Sequence, residues 1–230
     1  MTTTFITGAN RSLGLETAHR LVEIGHTVLL GARDPELGHA AAASLGARFV
    51  PIDVTDDASV AAAAADVAAH EGSLDVLINN AGILGRVGPV DDYTAADMAE
   101  VLQVNVTGVV RVTHAFLPLL RRSAHPVIVN VSSGMGSFGL TQDPDRIESR
   151  YSLPLYSAAK AAVTMLTTQY ARELPDFRVN AADPGQTATD FTGGLGHSVA
   201  TGAEAIVALA TIAPDGPTGR LMDRSGPLPW

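Results

Sequence analysis

Cysteine is absent from the 230 residues, so no disulfide framework and no thiolate metal site can be built. Redox chemistry, if present, needs a cofactor, and the chain reads as a protein of a reducing, cytoplasmic compartment. Positive charge is scarce: 15 basic residues face 24 acidic ones, the formal charge is −9, and no basic run exceeds Arg121-Arg122. A phosphate backbone would find nothing to neutralise it, which argues against nucleic acid as a partner. Apolar runs such as Ala205 to Ala213 fall short of the roughly 18 residues of a membrane span. A strand-like run from Thr3 onward is read as leaving no leader, so the expectation is a soluble globular protein. The seven histidines are scattered without ligand spacing, and no metal site is expected. One scarcity is of another kind, because a single lysine, Lys160, stands among 14 arginines.

What is present is an alternation. Thr3 to Thr7, His26 to Leu30, Arg48 to Ile52, Leu74 to Ile78, Pro126 to Val131, Phe177 to Ala181 and Arg220 to Met222 read as strands. Between them lie helical stretches, among them Leu13 to Ile24, Asp56 to His70, Ala95 to Leu120 with Pro118 kinking or ending it, and Leu155 to Glu173. Asp34-Pro35 reads as a cap and first helical residue. About seven continuous apolar strands separated by helices imply α/β architecture: one doubly wound parallel sheet, helices on both faces, in a single domain spanning residues 1–230.

The first strand runs into Thr7-Gly8-Ala9-Asn10-Arg11-Ser12-Leu13-Gly14, which opens the first helix. Glycines there let backbone N–H groups and a helix N-terminus approach a pyrophosphate. After the second strand stands Arg33, where a dinucleotide's adenosine ribose is read; a guanidinium there suits a 2′-phosphate, and Arg11 could reach the same group. Tyr156 and Lys160 are four residues apart, which places a phenol and an ammonium on one helical face.

In the order and spacing of these motifs, with Asp53, Asn79 to Gly82, Asn105, Ser132-Ser133 and Pro184-Gly185, the chain resembles the short-chain dehydrogenase/reductase family over nearly its whole length. The resemblance implies NADP(H) as cofactor and Asn105, Ser133, Tyr156 and Lys160 as the catalytic set. Tyr156 would protonate a carbonyl oxygen, with Lys160 lowering its pKa and holding the nicotinamide ribose. Ser133 would orient the substrate, and Asn105 would hold a water that relays protons to Lys160. Gly8, Asn10, Arg11, Ser12, Leu13 and Gly14 would cradle the pyrophosphate. Asp53 and Val54 would meet the adenine, Asn80, Ala81 and Gly82 would wall the adenosine ribose, and Pro184, Gly185, Thr187 and Thr189 would hold the nicotinamide amide. Asn79-Asn80 could instead merely turn the chain, and Thr189 could cap the helix or loop after it.

Two departures from the family pattern stand out. Ser12 replaces a loop glycine, and the interval from Ser133 to Tyr156 is longer by about ten residues than is common. Its polar part, Gln142 to Arg150, and the ending Gly216-Pro217-Thr218-Gly219 resemble the carbonyl-reductase branch, in which such an insertion covers the usual dimer surface. A monomer is therefore favoured, with a homo-oligomer the alternative. The substrate is expected to be a small, mostly apolar ketone or aldehyde bound near Ile83 to Val87, Met135 to Leu140 and Gln186 to Leu195. The rival readings are a cofactor-sensing regulator without chemistry and a sugar epimerase or dehydratase, the latter disfavoured by the short C-terminal part.

Overall fold

The computed structural model describes residues 1–230. Eight strands form one sheet: β1 (Thr3–Thr7), β2 (Thr27–Ala32), β3 (Arg48–Pro51), β4 (Val76–Asn79), β5 (Val127–Val131), β6 (Arg178–Ala182), β7 (Leu221–Asp223) and β8 (Gly226–Pro227). Their order is β3-β2-β1-β4-β5-β6-β7-β8, and every pairing is parallel except β7 with β8. The two-residue β8 is the strand that the sequence pattern does not announce. It is a hairpin return held by Asp223, whose Oδ1 accepts from Ser225 N and Gly226 N.

Alternating side chains of each strand enter two cores, one on each face of the sheet. Phe5, Leu29, Leu77 and Ile128 point to one face. There they meet α3 (Asp57–His70), α5 (Gly108–Leu120) and α7 (Pro154–Glu173). Phe5 and Phe116 pack with ring centroids 4.5 Å apart. Ile6, Leu30, Ile78 and Val129 point to the other face, against α1 (Ser12–Glu23), α2 (Pro35–Leu45) and α8 (Val199–Ala210). Burial on both faces explains why these strands read as unbroken apolar runs.

Local chemistry sets the helix starts. Asp34 accepts from Leu37 N, with Pro35 in the first turn, Asp56 from Ala58 N and Ser198 from Thr201 N. At α4 (Ala95–Leu102), Thr94 and Asp97 form a reciprocal capping box. The stretch read as one helix from Ala95 to Leu120 is divided by a π-helical turn over Gln103–Thr107. Its last part tolerates Pro118, and the helix ends two residues later. A short helix α6 (Phe138–Gln142) and a 3₁₀ turn (Ile147–Arg150) make up the extra segment before α7.

The chain order reverses between β1 and β4, so the connections leaving their C-terminal ends diverge and open a crevice. Thr7, Ala32, Asn79, Val131 and Ala182 end their strands along this rim.

Candidate active site

A cleft of about 680 Å³ occupies the crevice. Every residue singled out from the sequence as catalytic or cofactor-binding lines it, except Asn105. Asn105 is buried one layer back, in the π turn, where Oδ1 accepts from Ile83 N (2.8 Å) and Nδ2 donates to Ile83 O (2.8 Å). Widening of the helix at functional positions is a recurrent use of π turns. A Cβ on Gly82 would stand 3.3 Å from Asn105 Oδ1 and 3.8 Å from Lys160 Nζ, so the bare glycine keeps a gap open between these two groups.

At one end lies the loop after β1. Gly8 has φ +64°, and a Cβ on Gly14 would stand 2.5 Å from Gly8 O and 2.6 Å from Asn80 Nδ2. Asn80 does more than wall the cleft: Nδ2 donates to Thr7 O and Gly8 O, tying the loop to the end of β4. Ser12 is the one non-glycine residue with positive φ, +46°. The family's glycine position has thus kept a glycine-like backbone under a serine side chain. Unlike α2, α3, α4 and α8, α1 has no side-chain cap and no acid in its first turn. Ser12, Leu13 and Gly14, which open this helix, line the cleft. A pyrophosphate fits this donor set, which is uncapped, free of carboxylates and stripped of Cβ atoms at Gly8 and Gly14.

Arg33 is exposed at the rim after β2. Arg11 pairs with Asp190, on the segment that follows β6, at 3.1 Å. Asp53 spends Oδ1 on Thr55 N and Thr55 Oγ1. Burial works against its charge, but these bonds, with Arg33 and Arg111 nearby, hold its carboxyl below the usual range. Thr187 turns its hydroxyl onto Pro184 O and Gly185 O (3.2 Å each), and Thr189 begins a short turn in which its N–H donates to Thr192 Oγ1.

At the other end, β5 delivers two serines to opposite jobs. Ser132 is buried and bonds to Lys160 O and Thr164 Oγ1, fastening the strand end to α7. Ser133 lines the cleft together with Tyr156, and its Oγ accepts from Met135 N at 3.2 Å. Lys160 Nζ donates to Val131 O (2.7 Å) and lies 5.5 Å from the centroid of the Tyr156 ring. Burial brings its ammonium down to about 8, with Asp183 opposing the fall. Burial pushes the Tyr156 phenol up, Asp183 adds to this, and Ser133 partly offsets it.

Gly136 sets the distance between the β5 loop and α7. A Cβ there would stand 2.6 Å from Lys160 C, 2.7 Å from Ala161 N and 2.8 Å from Lys160 O, all backbone. Gly136→Ala is expected to cost about 1 to 3 kcal/mol of stability in chemical denaturation. Gly88→Ala, where the nearest atom is 4.0 Å away, is the matched control expected to cost little.

The polar surroundings include two acidic groups that belong to no catalytic or cofactor-binding motif. Asp183 and Glu148 are both buried, and both line the cleft. Asp183 directly precedes Pro184-Gly185, which was the available signal. Glu148 lies in the extra segment, where Arg146 Nη2 and Nε reach its carboxylate at 3.2 and 3.3 Å. Ile83, Leu84, Val87, Met135, Phe191 and Leu195 also line the cleft, alongside Tyr151, Gln186 and Thr192, whereas Phe138 is exposed and does not line it. No group of acidic or histidine side chains could hold a metal ion. No helix is long and apolar enough to cross a membrane.

Comparison with known proteins agrees with this geometry. The short chain dehydrogenase family model matches residues 2–199. "Short-chain dehydrogenase anuI" of Penicillium roqueforti is 38% identical, over 97% of this chain and 94% of its own. (−)-Isopiperitenone reductase of Mentha piperita is 31% identical, over 97% and 96%. Among solved structures, NADPH-bound carbonyl reductase from chicken fatty liver superposes with TM-score 0.87 at 30% identity, covering 100% of this chain and 99% of that one. A doubly wound sheet, a phosphate-type loop after β1 and a Ser-Tyr-Lys cluster after β5 thus coincide with a match over most of the sequence: the chain belongs to the short-chain dehydrogenase family of oxidoreductases.

Proposed function

We propose that residues 1–230 act as a single dinucleotide-binding and catalytic domain, an NADP(H)-dependent reductase of small, mostly apolar ketones or aldehydes in the cytoplasm. The observation that carries the reading is the convergence of Ser133, Tyr156 and Lys160 at the apolar end of a cleft whose far end offers an uncapped helix and Arg33. Relatives named as reductases and an NADPH-bound structural neighbour support it.

The cofactor would supply a hydride to the carbonyl carbon. The chain's own residues do the rest. Gly8, Asn10, Arg11, Ser12, Leu13 and Gly14 would hold the pyrophosphate, Arg33 the 2′-phosphate, and Asp53 and Val54 the adenine. Asn80, Ala81 and Gly82 would flank the adenosine ribose, and Pro184, Gly185, Thr187 and Thr189 the nicotinamide amide. Ser133 would donate a hydrogen bond to the substrate oxygen, and Tyr156 would give it the proton as the carbonyl becomes an alcohol. Lys160 would hold the nicotinamide ribose and, across the gap that Gly82 leaves, share a proton path with Asn105. Met135, Phe191 and Leu195 would exclude water, and Phe191 packs edge-on against Tyr156 with centroids 5.9 Å apart.

A panel of neutral ketones and aldehydes, followed by loss of NADPH absorbance, tests this reading. Turnover of apolar members is expected, whereas tight NADPH binding with no turnover across the panel would favour a cofactor sensor. The stretch leading into the insertion Gln142 to Arg150 is tied to the chain's own C-terminal residues: Ser137 Oγ donates to Pro229 O and Gly139 N to Trp230 O. We therefore expect a monomer. Light scattering after size exclusion at micromolar concentration should return a mass near 23.8 kDa. A mass of twice or four times that value would contradict it.

A further inference from the structure

Beside the catalytic cleft lies a second, smaller groove of about 370 Å³, lined by Phe138 and Thr141 of α6 and by Ser157 and Ala158 of α7. Three residues, Met135, Tyr151 and Leu153, line both the groove and the cleft, so they form the wall between the two spaces. Tyr151 directly follows the extra segment, and Gln186 Nε2 donates to its hydroxyl at 3.1 Å. This bond ties the extra segment to the segment that follows β6, 35 residues further along the chain.

The backbone at each end of the bond is itself held. Tyr151 N donates to Glu148 O at 3.4 Å, and Glu148 is buried with Arg146 on its carboxylate. Gln186 O accepts from His197 N at 3.0 Å, and Ala188 N donates to His197 O at 2.8 Å, so a return of the chain fixes the stretch that carries the glutamine. The Tyr151 side chain, by contrast, belongs to a residue that is 45% exposed. Its ring is placed by the bond to Gln186 more than by close packing.

We propose that Tyr151, held by Gln186, sets the size of the ketone that the cleft accepts. Its ring closes the substrate end on the side of the groove, so a ketone with one apolar arm fits and a bulky second arm is refused. This names the substrate class of the reductase reading above and rests on it. The space behind the ring is ample for such an arm, since an apolar cavity of about 150 Å³ already takes a benzene ring. With the ring in place, forcing an arm through the wall would demand the shifts that make overpacking costly.

The test uses the full chain loaded with NADP⁺, to which a ketone binds without turnover, and reads calorimetric dissociation constants for acetophenone and benzophenone, one aryl arm against two. Wild type is expected to bind acetophenone about ten-fold more tightly or better, a discrimination within the reach of an apolar pocket. Tyr151→Ala should remove most of that difference, and Gln186→Ala, which frees the ring without shortening it, should remove part of it. Adding Ala158→Phe to Tyr151→Ala refills the groove from α7 and should restore the discrimination. Equal binding of the two ketones by wild type, binding of neither, or a parallel change in both on Tyr151→Ala overturns the proposal, as does a gain for benzophenone that survives Ala158→Phe. If Tyr151→Ala does not fold, Tyr151→Leu and Gln186→Ala carry the same comparison. The binding measurement needs no chemistry, so an enzyme that shows this pattern and yet reduces no ketone with NADPH would count against the reductase reading alone.

Discussion

Tyr156→Phe is expected to leave NADPH binding within a few-fold of wild type while the reduction rate falls by roughly 10² to 10⁴, the usual contribution of a positioned general acid. The ring and its edge-on packing against Phe191 survive the substitution; only the hydroxyl is lost. The change should therefore appear in kcat and not in cofactor affinity. Single-turnover kinetics with pre-bound NADPH would measure it, and near-normal turnover would require another acid, for which Tyr151 at the cleft wall is the next candidate.

Arg33→Ala should separate the two nicotinamide cofactors. Arg33 is exposed, and it lies at the rim where the adenosine ribose would rest. A charge-assisted contact to a 2′-phosphate should be worth on the order of 1.5 to 3 kcal/mol, or about ten-fold to a hundred-fold in dissociation constant. NADPH should weaken by that factor and NADH hardly at all. Because Arg11 is engaged with Asp190, its removal should cost less than removal of Arg33. Calorimetric titration of both cofactors against both variants checks this, and equal affinities of wild type for NADPH and NADH would remove the basis for the assignment.

The parts of this molecule that were legible in sequence are those whose signal is local. Strand alternation with helices, the Asp34-Pro35 start and the Tyr156-Lys160 spacing each depend on a few adjacent residues, and the fold carries them with edges moved by one or two positions. What was not legible depends on partners far along the chain. The π turn at Gln103–Thr107 has no proline or glycine within it to mark it; it brings Asn105 to both backbone groups of Ile83, 22 residues away. The loop position of Arg11 is legible, whereas its ion pair with Asp190, 179 residues along the chain, is not. Glu148 is one of several charged residues in the polar stretch Gln142 to Arg150, and nothing local marks it as the buried one; Arg146, two residues away, is what makes its burial possible. Asp183 was hidden by its neighbours, since Pro184-Gly185 drew the reading and the residue before them was passed over.

The central claim is that this cleft carries a hydride to a carbonyl carbon while Tyr156 supplies the proton. It is tested most directly by single-turnover reduction of a neutral ketone with NADPH deuterated at the transferring carbon of the nicotinamide ring. The account predicts one deuterium on the carbinol carbon of the alcohol for each NADPH consumed, and loss of that product in Tyr156→Phe. NADPH bound without alcohol formed, or alcohol formed without deuterium, would contradict it.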